Sequence, residues 1–291
     1  MDDHPAPGFT IDDARGDTTP LVFASPHSGR DYPYGFIAAT RLTLAQLRRA
    51  EDAFVDTLLA GAVASGAPLI AARYGRGWLD LNRSPDELDP AMFVEPLDDH
   101  PAQAGERVAA GLGVVPRVAA HGLDIYPGRL RIAEARARIA SVHAPYHAAL
   151  GSLLARARAR HGFAILLDCH SMPTPASAGP PPEIVLGDLH GAAAAPALTA
   201  LVEMHFRGYG WRVARNVPYA GGFTTAHHAQ PAAGVHVVQV EIERALYMDP
   251  PRLARHAGFD RVAAALTGLA ALLIHRAPTL GLSAPLRDAA E

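Results

Sequence analysis

Short, wholly apolar runs alternate along this chain with longer stretches in which apolar residues recur every third or fourth position. Pro20-Leu-Val-Phe-Ala-Ser25 is a continuous apolar run closed by Pro26 and Gly29, which predicts a buried strand. From Leu42 to Ala64 the residues Leu44, Leu47, Phe54, Leu58 and Ala62 keep helical spacing and predict one amphipathic helix. Pro68–Arg73 and Trp78–Leu81 read as strands, and Ser84–Gly128, rich in Pro, Asp and Gly, as loops and short elements. Arg131–Arg160 has helical periodicity, Phe163–Asp168 is a strand pattern, and Pro173–Pro182 is a Pro/Gly/Ala loop. Glu183–Leu186 predicts a strand, residues from Gly191 to about Gly208 a helix, and Trp211–Ala214 and Val235–Glu243 two more strands around a long Gly/His loop. Pro250–His275 closes the pattern as a helix.

Strands alternating with helices imply an α/β fold, a three-layer sandwich in which a mixed, mostly parallel sheet lies between helices. No repeat and no domain boundary is visible, so residues 1–291 read as a single domain with short flexible ends. With 49% hydrophobic residues the chain can bury a sizeable core. The formal net charge of -3, with both signs scattered, gives no basic stripe for nucleic acid and no polybasic run for a membrane surface. A single cysteine, Cys169, excludes an internal disulfide and fits a reducing compartment. The acidic start Met1-Asp-Asp-His-Pro5 is no secretory signal, and the apolar stretch Val262–Ile274 is too short to span a bilayer. The expectation is a soluble, cytoplasmic protein acting on a small molecule, with its oligomeric state open.

In α/β sheets of this kind, ligands collect where strands end at their carboxyl side. Two histidines fall at such places: His27 in Ser25-Pro-His-Ser-Gly29 and His170 in Asp168-Cys-His-Ser-Met172. Either alone suits a hydrogen-bonded structural role, whereas a catalytic zinc site needs a third protein ligand and an open position. Glu51 and Asp52 are the nearest acids; on a regular helix Glu51 lies mid-stripe and Asp52 at its margin, so spacing slightly favours Glu51. Asp168, on the same side of its strand as His170, could orient that imidazole, while Cys169 points away.

In Val235–Arg244 the polar residues Gln239, Glu241 and Glu243 share one face, where one glutamate could serve as general base or all could line a solvated edge. Trp78-Leu-Asp-Leu-Asn-Arg83 offers an amide and a guanidinium suited to a carboxylate. The loop Asn216–Pro231 is long and hydroxyl-rich, as functional loops often are, yet chemistry alone gives none of its residues a unique role.

Taken in order, Ser25-Pro-His-Ser-Gly29, Glu51-Asp-Ala-Phe-Val-Asp56, Trp78-Leu-Asp-Leu-Asn-Arg83, Asp168-Cys-His-Ser171, Pro218-Tyr-Ala-Gly-Gly222 and Gln239–Met248 resemble the N-formylglutamate amidohydrolase family. Any one motif is weak; the ordered series spans roughly residues 20 to 250. The resemblance implies a fold related to zinc carboxypeptidases and one zinc ion, or another divalent metal, held by His27, Asp52 and His170. It places the general base on Glu241 and a carboxylate-binding pair on Asn82 and Arg83, with Thr224 and His227 of the long loop on the substrate side. The implied reaction is zinc-dependent hydrolysis of the formyl amide of N-formyl-L-glutamate, or of a close N-formyl amino acid. Two departures stand out. Carboxypeptidases place an acidic ligand three residues after the first histidine, where this chain has Arg30, and many family members carry a basic residue where Ala226 stands.

Overall fold

A computed structural model describes residues 7–13, 19–97, 105–119, 122–177 and 179–284. Seven strands, β1 (Phe9–Asp12), β2 (Leu21–Ser25), β3 (Leu69–Ala72), β4 (Ala164–Met172), β5 (Ile184–Gly187), β6 (Val213–Arg215) and β7 (Val235–Glu243), form one mixed sheet in the order β1-β3-β2-β4-β7-β5-β6. The strands β2, β4 and β7 are parallel neighbours, while β5 runs antiparallel to β7 and parallel to β6. Helices flank the sheet, as the alternating pattern predicts.

Every residue of β2, β4 and β7 is buried, the condition that demands a near-continuous apolar run in a covered sheet. The first half of β4, Ala164–Leu167, meets it. Its second half, Asp168-Cys-His-Ser171, is polar and equally buried, and buried polar groups are costly unless they find partners. This concentration of polar residues at one rim marks the site.

Chain contacts divide the protein into two compact units. The first comprises Met1–Thr10, Ser25–Phe54 and Ala71–Ala149. Its small core joins Phe36, Leu47, Ala119 and Ile125, with Tyr32, Leu42, Trp78 and Tyr126 packed around them. The Arg138 guanidinium lies 5.2 Å from the Trp78 ring centre and donates to the Trp78 carbonyl and the Tyr126 hydroxyl. A cation sandwiched by rings and bonded on its edge is a favourable way to bury an arginine. The second unit comprises Ile11–Ala24, Val55–Ile70 and Leu150–Glu291. In it the helix Phe259–Arg276 buries Val262, Ala265, Leu266, Leu269, Ala270 and Leu273, one stripe at helical spacing, against the helix Ala60–Ala64. By length and composition alone this helix could cross a membrane.

Several elements differ from the sequence-based expectation. The helix expected over Leu42–Ala64 is three short helices, Leu44–Arg48, Val55–Leu58 and Ala60–Ala64. A capping box on Thr43 and Gln46 starts the first, and Phe54, with φ 69°, breaks the path before the second. Trp78–Leu81 is turn and irregular backbone instead of a strand. The helix expected from Arg131 to Arg160 carries a π-turn, Ile139–His143, between Ile132–Arg138 and Ala144–His161. The strand expected over Phe163–Asp168 runs on to Met172, so His170 sits within β4 and not after it. The long loop folds its middle into the helix Phe223–His228, and the closing helix starts at Phe259.

Gly29 packs against backbone: a Cβ there would lie 2.2 Å from the Tyr74 carbonyl oxygen. Backbone cannot step aside as a flexible side chain can, so Gly29→Ala should destabilise the protein by about 1–3 kcal/mol. Urea denaturation measures this, and an unchanged midpoint would contradict the packing described.

Candidate metal centre

His27 is buried in the turn that follows β2. Its carbonyl accepts from the Asp52 backbone N–H at 2.9 Å, which brings Asp52 alongside. The two ring nitrogens then have different company. Nδ1 lies 3.3 Å from Asp52 Oδ2, and Nε2 lies 2.7 Å from Asp80 Oδ1. A carboxylate only accepts, so the short contact to Asp80 places a proton on Nε2. In neutral imidazole that leaves the Nδ1 lone pair directed to the Asp52 side.

Glu51 and Asp52 diverge because the helix ends at Arg48 and the chain at these two residues is irregular. The Glu51 carboxylate accepts from the Tyr32 hydroxyl at 2.9 Å and from Arg48 Nε at 3.2 Å. Burial raises the Glu51 carboxyl above its ordinary value, against the opposing pull of Arg48 and Tyr32. The helix-wheel preference for Glu51 therefore fails: it assumed a helix that ends at Arg48. Glu51 is absorbed by its own partners and Asp52 faces His27.

Asp80 was not anticipated as a site residue. Its Oδ1 also accepts from the Asn82 backbone N–H at 2.9 Å, and its Oδ2 from Arg76 Nη2 at 2.6 Å. Burial alone would raise its carboxyl, but Arg76, His27 and Arg83 together hold it well below the usual carboxylate range. Asn82 and Arg83 follow, both buried. Arg83 Nε donates to the Leu112 carbonyl at 2.9 Å and Nη1 to the Asn82 carbonyl at 3.2 Å. The carbonyls of Leu81 and Arg83 accept from His147 Nε2 at 2.8 Å and His143 Nε2 at 2.9 Å. These two rings, 4.5 Å apart, belong to the π-turn and the helix after it. Turns of this kind often occur at functional sites.

On β4, His170 sits beside Glu241 of β7 in register, and Asp168 beside Gln239. Residues paired in a parallel ladder present side chains to the same face, so imidazole and carboxylate share one side of the sheet. The Gln239 amide donates to Glu241 Oε1 at 2.8 Å. Asp168 Oδ2 comes within 3.1 Å of His170 Nε2, but the alignment is too poor for a hydrogen bond. Neither Asp168 oxygen has a hydrogen-bond partner among the described residues. Cys169 faces away and donates weakly to the Leu167 carbonyl. Burial, then the charges of Asp168 and Glu241, push its thiol well up, which removes it as a nucleophile.

The loop after β6 approaches the same strands. A Cβ on Gly187 of β5 would lie 2.7 Å from the Ala220 backbone, and Gly187 pairs with Gln239. Backbone this close leaves no room for a side chain, which explains the glycine at position 187. In the helix that follows, Thr224 is buried, whereas His227 is exposed and stacked on Phe223 at 4.8 Å.

His27, Asp52 and His170, all buried, offer ligand atoms that lie within 4.8 Å of one another. Two imidazoles and a carboxylate are a common donor set for zinc, and two ligands of a tetrahedral zinc sit roughly 3.3–3.5 Å apart. The 3.3 Å between His27 Nδ1 and Asp52 Oδ2 matches that edge. The unbonded Asp168 carboxylate beside His170 adds buried negative charge that a cation would offset. The residues present fit a divalent metal.

A mixed α/β sheet carrying a buried His–Asp–His group beside a strand-borne glutamate is a frame suited to metal-assisted hydrolysis. Comparison with known proteins makes this specific. The family model described as N-formylglutamate amidohydrolase matches residues 19–248. An N-formylglutamate deformylase of Pseudomonas aeruginosa is 33% identical over 245 residues, covering 79% of this chain and 82% of its own. The Pseudomonas putida deformylase is 30% identical over 239 residues, with the same coverage. The crystal structure of an N-formylglutamate amidohydrolase from Ralstonia eutropha JMP134 superposes with a TM-score of 0.87 at 36% identity, covering 94% of this chain and 100% of that one. A gene product of Agrobacterium tumefaciens shares the fold at 19% identity and a TM-score of 0.66. The chain belongs to the N-formylglutamate amidohydrolase family.

Next to His227, the imidazole of His228 is pushed down to about 4, by burial first and by His227 second, with Asp168 pulling the other way. An unfolded histidine takes up its proton near pH 6.5. Between pH 6.5 and about 4 the unfolded chain therefore binds a proton that the folded His228 does not. Unfolding free energy should fall on acidification through this window, by up to about 1.4 kcal/mol per pH unit from this group. His228→Gln should flatten that slope relative to the parent in urea titrations at several pH values. Parallel slopes for the two proteins would contradict the assignment.

Proposed function

We propose that this chain hydrolyses the formyl amide of N-formyl-L-glutamate, or of a close N-formyl amino acid, to formate and the free amino acid, using one zinc ion held by His27, Asp52 and His170. The observation that carries the reading is the convergence of those three ligand atoms within 4.8 Å, with Glu241 the register neighbour of His170. Membership of the family and the deformylase names of the two Pseudomonas relatives point to the formyl amide.

A divalent cation in this setting supplies Lewis acidity toward the amide oxygen and lowers the pKa of water. Glu241 removes a proton from the attacking water and returns it to the amine nitrogen as the C–N bond breaks and the new C–O bond forms. Gln239 fixes Glu241 Oε1, which restricts the carboxylate to a narrow range of orientations. Asn82 and Arg83 hold the α-carboxylate of the substrate, and Thr224 and His227 border its remainder. Arg83 suits that role as a guanidinium: although burial lowers its pKa first of all, such a group stays charged in proteins. Holding the substrate at its carboxylate positions the amide carbon, and such positioning supplies a large part of catalysis.

Ala226, exposed on the helix Phe223–His228, carries no charge to read a substrate side-chain carboxylate. This favours, as a second reading, another N-acyl amino acid on the same machinery.

Formate release across a panel of N-formyl amino acids tests both readings. Turnover of N-formyl-L-glutamate supports the first, and turnover confined to other acyl amino acids supports the second. In the same assay Glu241→Gln should retain zinc while losing about 10²–10⁴-fold in kcat. A fully active Glu241→Gln variant would end the general-base assignment.

A further inference from the structure

We propose that Asp80 is a positioning residue that ties the hold on the metal to the hold on the substrate carboxylate; the inference rests on the function proposed above. One buried carboxylate takes three donors with three different tasks. Oδ1 accepts from His27 Nε2 at 2.7 Å and from the Asn82 backbone N–H at 2.9 Å, and Oδ2 accepts from Arg76 Nη2 at 2.6 Å.

The first contact fixes a tautomer. With its proton committed to Asp80 at Nε2, His27 presents Nδ1 toward Asp52 as a lone-pair donor, which is the form a cation needs. Asn, the nearest isostere, offers one oxygen where the carboxylate has two. It cannot accept from both His27 and Arg76 on separate oxygens without turning an N–H toward one of them.

The second contact sets a turn. An aspartate accepting from the N–H two residues on is an Asx turn, a local device that directs the chain leaving it. Here the chain leaving it is Asn82-Arg83. Their other anchors, the His147 and His143 bonds to the Leu81 and Arg83 carbonyls, come from a separate helix. Loss of the Asp80 carboxylate therefore leaves this segment attached, which makes the substitution a usable probe.

The third contact sets a guanidinium against the other oxygen. Arg76, four residues back, lies 2.6 Å from Oδ2, and its side chain is mostly covered. The same carboxylate thus orients one metal ligand and initiates the turn that carries the carboxylate-binding pair.

The test measures zinc affinity by chelator competition and KM for N-formyl-L-glutamate, in the full-length parent and in Asp80→Asn. Zinc affinity should fall about 10–100-fold, the usual effect of removing an outer partner from a ligand histidine. KM should rise in the zinc-saturated variant, as it should in Arg83→Ala, whose zinc affinity should stay at the parental level. A lowered melting temperature with parental zinc affinity and KM would mean a role in folding alone and overturn the inference. Should Asp80→Asn fail to fold, imidazole ¹⁵N NMR of the zinc-loaded parent decides: a proton on Nε2 of His27 supports the inference, and zinc on Nε2 overturns it. A parent protein that binds no zinc would instead sink the function proposed above, an outcome distinct from a zinc-binding parent whose affinity Asp80→Asn leaves unchanged.

Discussion

The site depends on the parallel register of β2 and β4. Ala24 pairs with Asp168, so both chains leave the ladder at the same rim, with His27 three residues beyond one partner and His170 two beyond the other. Parallel neighbours in a sheet are fixed by evenly spaced backbone hydrogen bonds, and a slip of one residue would turn every side chain to the opposite face. The apolar stretches Leu21–Ala24 and Ala164–Leu167, buried throughout, hold that register. The chemistry thus rests on the packing of residues that have no chemistry of their own.

Around the rim, several buried acids have defined partners. Glu51 is taken up by Tyr32 and Arg48, Asp80 by His27, Asn82 and Arg76, and Glu241 by Gln239. Each pairing removes an acid from competition or aims it, and the carboxylate beside His27 Nδ1 is that of Asp52. Asp168 is the exception among these acids, fully buried without a hydrogen bond among the described residues. Its charge beside His170 makes better sense with a cation at the centre than without one.

Much of the frame was legible in the chain because the signals were local. Uninterrupted apolar runs identified β2 and the first half of β4, and alternation identified β7. Small residues around His27 marked the end of β2, whereas β4 runs past His170 to Met172. Acid selection was not legible. Periodicity from Leu42 to Ala64 suggested one helix and so favoured Glu51, whereas the left-handed Phe54 and the end of the helix at Arg48 reverse the outcome. Propensity does not reveal such a break when the apolar spacing survives it. Asp80 was missed for a related reason: Trp78–Leu81 reads as a strand by its alternation, while its role comes from a turn whose partners lie 53 residues away at His27 and 4 away at Arg76. His143 and His147 carried no signal either, since their partners are backbone carbonyls. The family resemblance supplied Asp52 where geometry on an assumed helix did not.

The central claim is that three distant side chains share one ion. Anomalous diffraction at the zinc edge, on crystals of the protein loaded with a single equivalent of zinc, addresses it most directly. One peak is expected, bounded by the imidazoles of His27 and His170 and the carboxylate of Asp52. A peak coordinated elsewhere, or one that engages Glu51 in place of Asp52, would contradict it.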